Sequence, residues 1–213
     1  MVRTYFKTKM KKIDTCLYLY RVTGRNSWQI HNKEIQDGTM DMYHKNIQEL
    51  ALRESQLKGL HALDLGGRFN AQPGFTSVDL KSADVISDLN YTWPWKDNSV
   101  GVIVANDIFE HLKDKMHVIK EAYRVLAPGG YLLVMVPSTD GRGAFQDPTH
   151  ISFYNENSFY YYVDTKWAQY IDTPVKFQSM RLYTTEKNSD GVCWVVAHLC
   201  ALKGNRPPGG IKI

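Results

Sequence analysis

Acidic residues stand at the ends of four short apolar runs. They are Asp64 in Leu63-Asp64-Leu65-Gly66-Gly67-Arg68, Asp79 with Leu80 after Ser77-Val78, Asp88 before Leu89, and the pair Asn106-Asp107 after Val102-Ile103-Val104-Ala105. A carboxylate held partly out of water needs hydrogen-bond donors, and a ligand's hydroxyl or amino groups serve as well as backbone amides. The glycines at 66 and 67 let a ligand approach the main chain. Asp107, His111, Asp147 and His150 form a second group. Histidine titrates near neutrality and serves as a general base, while carboxylates and imidazoles together supply the O and N donors that suit a divalent cation. His150 is the best placed for the base, since Glu110-His111-Leu112 also reads as the anchor of a helix start. Asp147 and Thr149 can equally shape a turn.

These residues need a scaffold that brings strand ends together. From Ala62 onward apolar runs alternate with helical patterns, which predicts βαβ units and a Rossmann-like, doubly wound, mostly parallel seven-stranded α/β sheet. Strands are expected at His61–Leu65, Thr76–Leu80, Ala83–Asp88, Val100–Ala105 and Tyr131–Val136. An antiparallel edge hairpin is expected from Val175–Thr184 and Val192–Leu202, joined by Asn188-Ser189-Asp190-Gly191. Helical spacing covers Asp41–Leu57 and Asp114–Leu126, the latter stopped by Pro128-Gly129-Gly130, and a further helix starts near Asn155. The link between the first two strands is too short for a long crossover helix. The aromatic run Phe159–Tyr162 with Trp167 reads as helix core. In such a sheet the ligand lies outside the carboxyl ends of the strands, where their order reverses. An acid at the second strand's end, Asp79, can accept from both hydroxyls of a ribose, and Asp88 is positioned for an adenine amino group.

The 213 residues suffice for one well-buried domain with extensions: residues 1–30 as an N-terminal extension, 31–203 as the domain, and 204–213 as a loose tail. A net charge of +4 is mild and its lysines and arginines are dispersed apart from Lys7–Lys12, which argues against nucleic acid. Cys16, Cys193 and Cys200 lack the spacing of a zinc site or disulfide framework and read as reduced residues of a cytoplasmic protein. No apolar run is long enough to span a membrane.

Taken together, these segments resemble the class I S-adenosylmethionine-dependent methyltransferases, especially the short type 11 subfamily. The likeness runs through Leu63–Gly67, Pro73–Asp79, Trp93–Ser99, Ile108–Leu112 and Glu121–Gly130, in the family's order. It implies that Asp64 and the Gly66-Gly67 backbone face the methionine part of S-adenosylmethionine, Asp79 and Leu80 the ribose, and Asp88 with the Leu89 backbone the adenine. Asn106 would lie near the methionine amine or the sulfonium, and S-adenosylhomocysteine would be the product. Arg68 departs from the family, which usually has a further glycine there; it either pairs with the cofactor carboxylate or points to solvent. No Asn/Asp-Pro-Pro-Tyr segment follows the fourth strand, which again argues against a nucleic-acid substrate.

Phe145–Phe153 resembles an Asp-Pro-Thr-His segment of type 11 enzymes encoded with glycan-synthesis genes. Residues 13–27, with Tyr18-Leu19-Tyr20-Arg21, resemble the final segment of family 2 glycosyltransferases. These likenesses imply an O-methyltransferase acting on a sugar hydroxyl of a glycan, a deoxyhexose such as rhamnose, assisted by a base or a divalent cation. They imply fusion to, or association with, a glycosyltransferase. A small metabolite or lipid-linked precursor is the alternative acceptor, and a cofactor-binding module without turnover is the non-enzymatic alternative.

Overall fold

The computed structural model describes residues 46–68 and 71–204. The expectations for the glycosyltransferase-like segment, Cys16, the start of the first helix and most of the tail lie outside the described residues. The chain divides into a unit of residues 1–47 with 213 and a unit of residues 48–212; the second carries the sheet and every site residue below.

Seven strands form one sheet in the order β3-β2-β1-β4-β5-β7-β6. They are β1 (His61–Leu65), β2 (Thr76–Asp79), β3 (Val85–Ile86), β4 (Val100–Asn106), β5 (Leu126–Pro137), β6 (Phe177–Thr184) and β7 (Trp194–Ala201). The first five pair in parallel, β7 lies antiparallel to β5, and β6 lies antiparallel to β7. This is the expected Rossmann-like α/β architecture with its antiparallel edge pair. Residues 100–105 of β4 are buried throughout, as a strand covered on both faces must be.

Three boundaries differ from the sequence reading. Strand β2 stops at Asp79, leaving Leu80 outside the sheet and exposed. Strand β3 is only two residues long, so Asp88 lies beyond its end and not on it. Strand β5 begins at Leu126, because Pro128-Gly129-Gly130 forms a bulge between the Val100–Leu126 and Val102–Tyr131 pairings and does not precede the strand. Gly129 takes φ +77° there, a conformation open to glycine.

No helix occurs among the described residues of the β1–β2 link, and none occurs between β3 and β4. The β3–β4 connection is held instead by side chains. Trp93 is buried, its indole donates to the Leu89 carbonyl at 3.1 Å, and its amide donates to Glu121 Oε2 at 2.7 Å. Arg124 donates to the carbonyls of Trp93 and Trp95 and to the carboxylates of Asp97 and Glu121. Helix α1 covers residues 46–57. Helix α2 (Lys115–Val125), N-capped by Asp114 onto the amides of Met116 and His117, buries Val118, Ile119, Ala122 and Val125. Short α3 (Gly143–Gln146), α4 (Glu156–Val163) and α5 (Thr165–Ala168) follow β5. In α4, started by a capping box at Asn155, Phe159 and Tyr162 are buried as expected, whereas Trp167 of α5 is partly exposed.

Candidate active site

The strand order reverses between β1 and β4, so their carboxyl ends flank the crevice expected to hold a ligand. The two loops leaving these ends touch: a Cβ added to Gly66 would lie 3.1 Å from the Ile108 side chain. Gly66 has φ +77° and its amide donates to the Val78 carbonyl at 2.8 Å. At Gly67 an added Cβ would stand 2.7 Å from Asp64 Oδ2. Asp64 is almost fully buried and accepts from the Gln72 amide at 2.8 Å. Burial pushes its carboxyl above the usual range, and the Gln72 bond pulls it back in part. Arg68 is exposed.

Further along this edge the acids are occupied by their own turns. Asp79 Oδ1 accepts from the Lys81 amide at 3.0 Å, and Asp88 Oδ1 accepts from the backbone and side-chain nitrogens of Asn90 at 2.9 and 2.8 Å. These bonds hold Asp88 below the ordinary carboxylate range. Leu89 turns its side chain into the core and its carbonyl to Trp93. Leu80 and Ile86 expose apolar side chains beside Asp79.

On the other side of the switch point the loops after β4 and β5 interlock. Asn106, the last residue of β4, is exposed, and Asp107 follows with φ +49°. Crowding by protein raises the Asp107 carboxyl, against the Trp194 indole donating to Oδ1 at 3.0 Å and the nearby His150 and His111. Phe109–His111 form a single 3₁₀ turn. The Glu110 carbonyl accepts from the amides of Ile151 and Ser152, both at 2.9 Å, and the Ser152 hydroxyl donates to the Leu112 carbonyl. This latch carries the loop with Asp147 and His150 onto the turn with Glu110 and His111.

The result is a compact polar cluster. The rings of His111 and His150 meet edge to face, with centroids 4.9 Å apart. His150 Nε2 lies 3.8 Å from Glu110 Oε1 and 3.9 Å from Asp147 Oδ2. His150 Nδ1 is 3.1 Å from the Ala144 carbonyl, which can only accept; that nitrogen therefore carries a proton, and in the neutral ring the lone pair lies on Nε2. The Thr149 hydroxyl donates to Asp147 Oδ1 at 2.7 Å, so His111 Nδ1 is left to donate toward the Thr149 oxygens at 3.1 and 3.3 Å. His111 Nε2 is likewise free. The Thr149 bonds hold Asp147 low.

Glu110 is the residue that sequence reasoning missed. Its side chain is 2% exposed, and neither carboxylate oxygen has a hydrogen-bond partner. Burial, with the nearby charges of Asp107 and Asp147, pushes its carboxyl up to about 7, against a pull from its own backbone amide that falls short of hydrogen-bond geometry. The only sequence signal is its place directly before His111, since nothing in the residue order reveals that the 3₁₀ turn points the carboxyl inward. Of the predicted acceptor-side residues, His111, His150, Asp107 and Asp147 come together; the predicted cofactor residues lie along the β1–β3 edge and at the end of β4.

Comparison with known proteins bears on this geometry. Residues 62–134 match the methyltransferase domain family. Over these residues the chain is similar to methyltransferase domains. Over 61 residues it is 39% identical to a protein of Mycolicibacterium smegmatis named as a probable S-adenosylmethionine-dependent methyltransferase, covering 27% of this chain and 24% of that protein. The chain thus spans about a quarter of that relative's length. Among solved structures, the YcgJ protein of Bacillus subtilis superposes with a TM-score of 0.50 at 12% identity, over 74% of this chain and 98% of that one. The 1,6-didemethyltoxoflavin-N1-methyltransferase of Burkholderia thailandensis has a TM-score of 0.47 at 12% identity, over 90% and 94%. At 12% identity the YcgJ likeness speaks for the fold alone. Among the described residues of the methyltransferase domain no helix is long and apolar enough to cross a membrane.

Proposed function

We propose that this chain is an O-methyltransferase that uses S-adenosylmethionine to methylate a sugar hydroxyl of a glycan, a deoxyhexose such as rhamnose. The observation that carries the reading is the clustering of His111 and His150 with the partnerless Glu110 in the turn after β4. A hydroxyl must lose its proton to become a good nucleophile, which calls for a base or a cation in that position.

The β1–β3 edge fits the cofactor. Gly67 leaves the space that any side chain would fill against Asp64, and Gly66 holds a left-handed turn that clears the main chain. Asp64 and the Gly66-Gly67 backbone would take the methionine part, with Asn106 near its amine or sulfonium. Asp79 would take the ribose, Leu80 would offer it an apolar wall, and Asp88 with the Leu89 backbone would take the adenine. When bound, S-adenosylmethionine supplies a methyl group on a positively charged sulfur. On the acceptor side His150 would hold the hydroxyl by its Nε2 lone pair and receive the proton, the Ala144 carbonyl keeping the ring in that tautomer. The stacked and exposed Phe145 and Phe153, 5.2 Å apart and flanking this loop, offer a flat apolar surface to the C–H face of a sugar.

The glycan reading is supported further by the likeness of residues 13–27 to a glycosyltransferase end, which makes a glycosyltransferase, fused or associated, the expected partner. With its cysteines unpaired in spacing, the cytoplasm is the proposed site of action. The test is mass spectrometry of oligosaccharides incubated with the full chain and methyl-labelled cofactor. One labelled methyl group on a sugar is expected. Transfer to small aglycones with none to any glycan would overturn the acceptor.

A further inference from the structure

We propose that Glu110, His111 and His150 form a binding site for a divalent first-row transition cation such as Mn²⁺, Co²⁺ or Zn²⁺. One ligand atom from each of the three residues lies within 4.8 Å of the other two. Ligands about 2.1 Å from a shared ion stand roughly 3.0–3.4 Å apart in neighbouring positions. The His150–Glu110 pair, 3.8 Å apart, needs less than about 1 Å of side-chain movement to close onto an ion, and no pair in the cluster needs more than about 2 Å.

Two independent observations point to a ligand. The first is Glu110, 2% exposed, with both oxygens lacking a hydrogen-bond partner. Burying a carboxylate without donors is costly, and a core position with no further task would be filled by an apolar side chain. An ion pair with protonated His150 does not meet the need, because 3.8 Å is too long for a hydrogen bond and Oε2 would stay bare. The second observation is the orientation of the imidazoles. Each histidine commits Nδ1 to the neighbouring loop, His150 to the Ala144 carbonyl and His111 to Thr149, and each turns the other nitrogen free. Metal-bound histidines are held in this way, the second nitrogen fixing ring and tautomer through a carbonyl. Two imidazole nitrogens and one carboxylate oxygen suit first-row transition ions better than Mg²⁺ or Ca²⁺.

Three protein ligands leave positions open on such an ion, at the site where the acceptor hydroxyl is expected. In this respect the inference deepens the proposed activity and rests on it, replacing the role of His150 as a base with that of a ligand. Cation binding itself does not rest on that reading.

The full chain, stripped of metal with a chelator, is titrated with Co²⁺ and Mn²⁺ and followed by calorimetry and by the visible bands of Co²⁺. One equivalent is expected to bind, with affinity reduced tenfold or more in Glu110→Gln, His111→Gln and His150→Gln. His117→Gln, in which a half-buried histidine outside the cluster is lost, should bind like the parent. Circular dichroism checks folding; if Glu110→Gln does not fold, the more exposed His111→Gln carries the test. No uptake of either ion, or affinity unchanged in the three cluster variants, would overturn the site. Glycan methylation is measured in parallel. Transfer without cation binding would remove the cation site alone, and cation binding without transfer to glycans would remove the acceptor reading alone.

Discussion

The two halves of the crevice use acidic residues in opposite ways. Along β1, β2 and β3 each carboxylate is tied to a nearby amide: Asp64 to Gln72, Asp79 to Lys81, Asp88 to Asn90. Beyond β4 the most deeply buried carboxylate, Glu110, has no such tie, His150 Nε2 stands 3.8 Å from it, and His111 completes the cluster. The first half stores its order in local turns and is suited to hold a rigid molecule. The second leaves polar groups unsatisfied and is suited to act on one. A protein keeps an unsatisfied buried carboxylate only where something else compensates.

This contrast is open to attack at several points. The largest effect is expected at Glu110: Glu110→Gln keeps the shape and removes the charge, and methyl transfer should fall by about a hundredfold or more while cofactor affinity is unchanged. Labelled-methyl assays beside calorimetry with S-adenosylhomocysteine would see both.

The same residue should leave a mark on stability in metal-free buffer. Its carboxyl sits at about 7 in the folded chain and near 4.3 when unfolded. Between these values the folded state holds a proton that the unfolded state has lost, so stability falls as pH rises from about 4 to about 7, by up to roughly 3 kcal/mol. Thermal melts across that window should show the slope, and Glu110→Gln should flatten it.

On the opposite side Gly67→Ala drives a methyl group to 2.7 Å from Asp64 Oδ2. It should cost about 1–3 kcal/mol in stability, with loss of cofactor binding. The smallest of these effects is Asp79→Ala. It should weaken S-adenosylhomocysteine by about tenfold but shift stability by less than about 0.5 kcal/mol, because its bond to Lys81 is exposed. Unchanged affinity in this variant would show that the ribose lies elsewhere.

Residue order carried most of the fold and named four of the five polar residues that gather beyond β4. Strand positions were legible because β-branched runs such as Val100–Ala105 end in Gly, Asn or Asp, a pattern set by local chemistry. Boundaries failed where tertiary context decides. Pro128-Gly129-Gly130 has the composition of a stop, yet Leu126 already pairs with Val100 and the three residues bulge out of a strand under way. The places of Asp79 and Asp88 after β2 and β3 were legible because each closes its own turn. Glu110 was not, because its burial depends on a latch from residues 151 and 152, some forty positions downstream. His150 and His111 could be named from their types, but their shared orientation depends on carbonyls that only the folded loop supplies.

The segment after β5 has one more property. Ser138 bridges Tyr154 in parallel, and the Thr139 amide donates to the Tyr154 carbonyl at 2.8 Å. The excursion between them is cinched at its neck like a drawstring bag, returning the backbone to where it departed. A closed lobe of this kind can be exchanged for one of another length or sequence without disturbing the strands beneath, provided the stitches at its neck, to the Glu110 turn and from Arg142 to Gly191 are kept. Grafting lobes from other members onto this scaffold is thus the expected route to new acceptors.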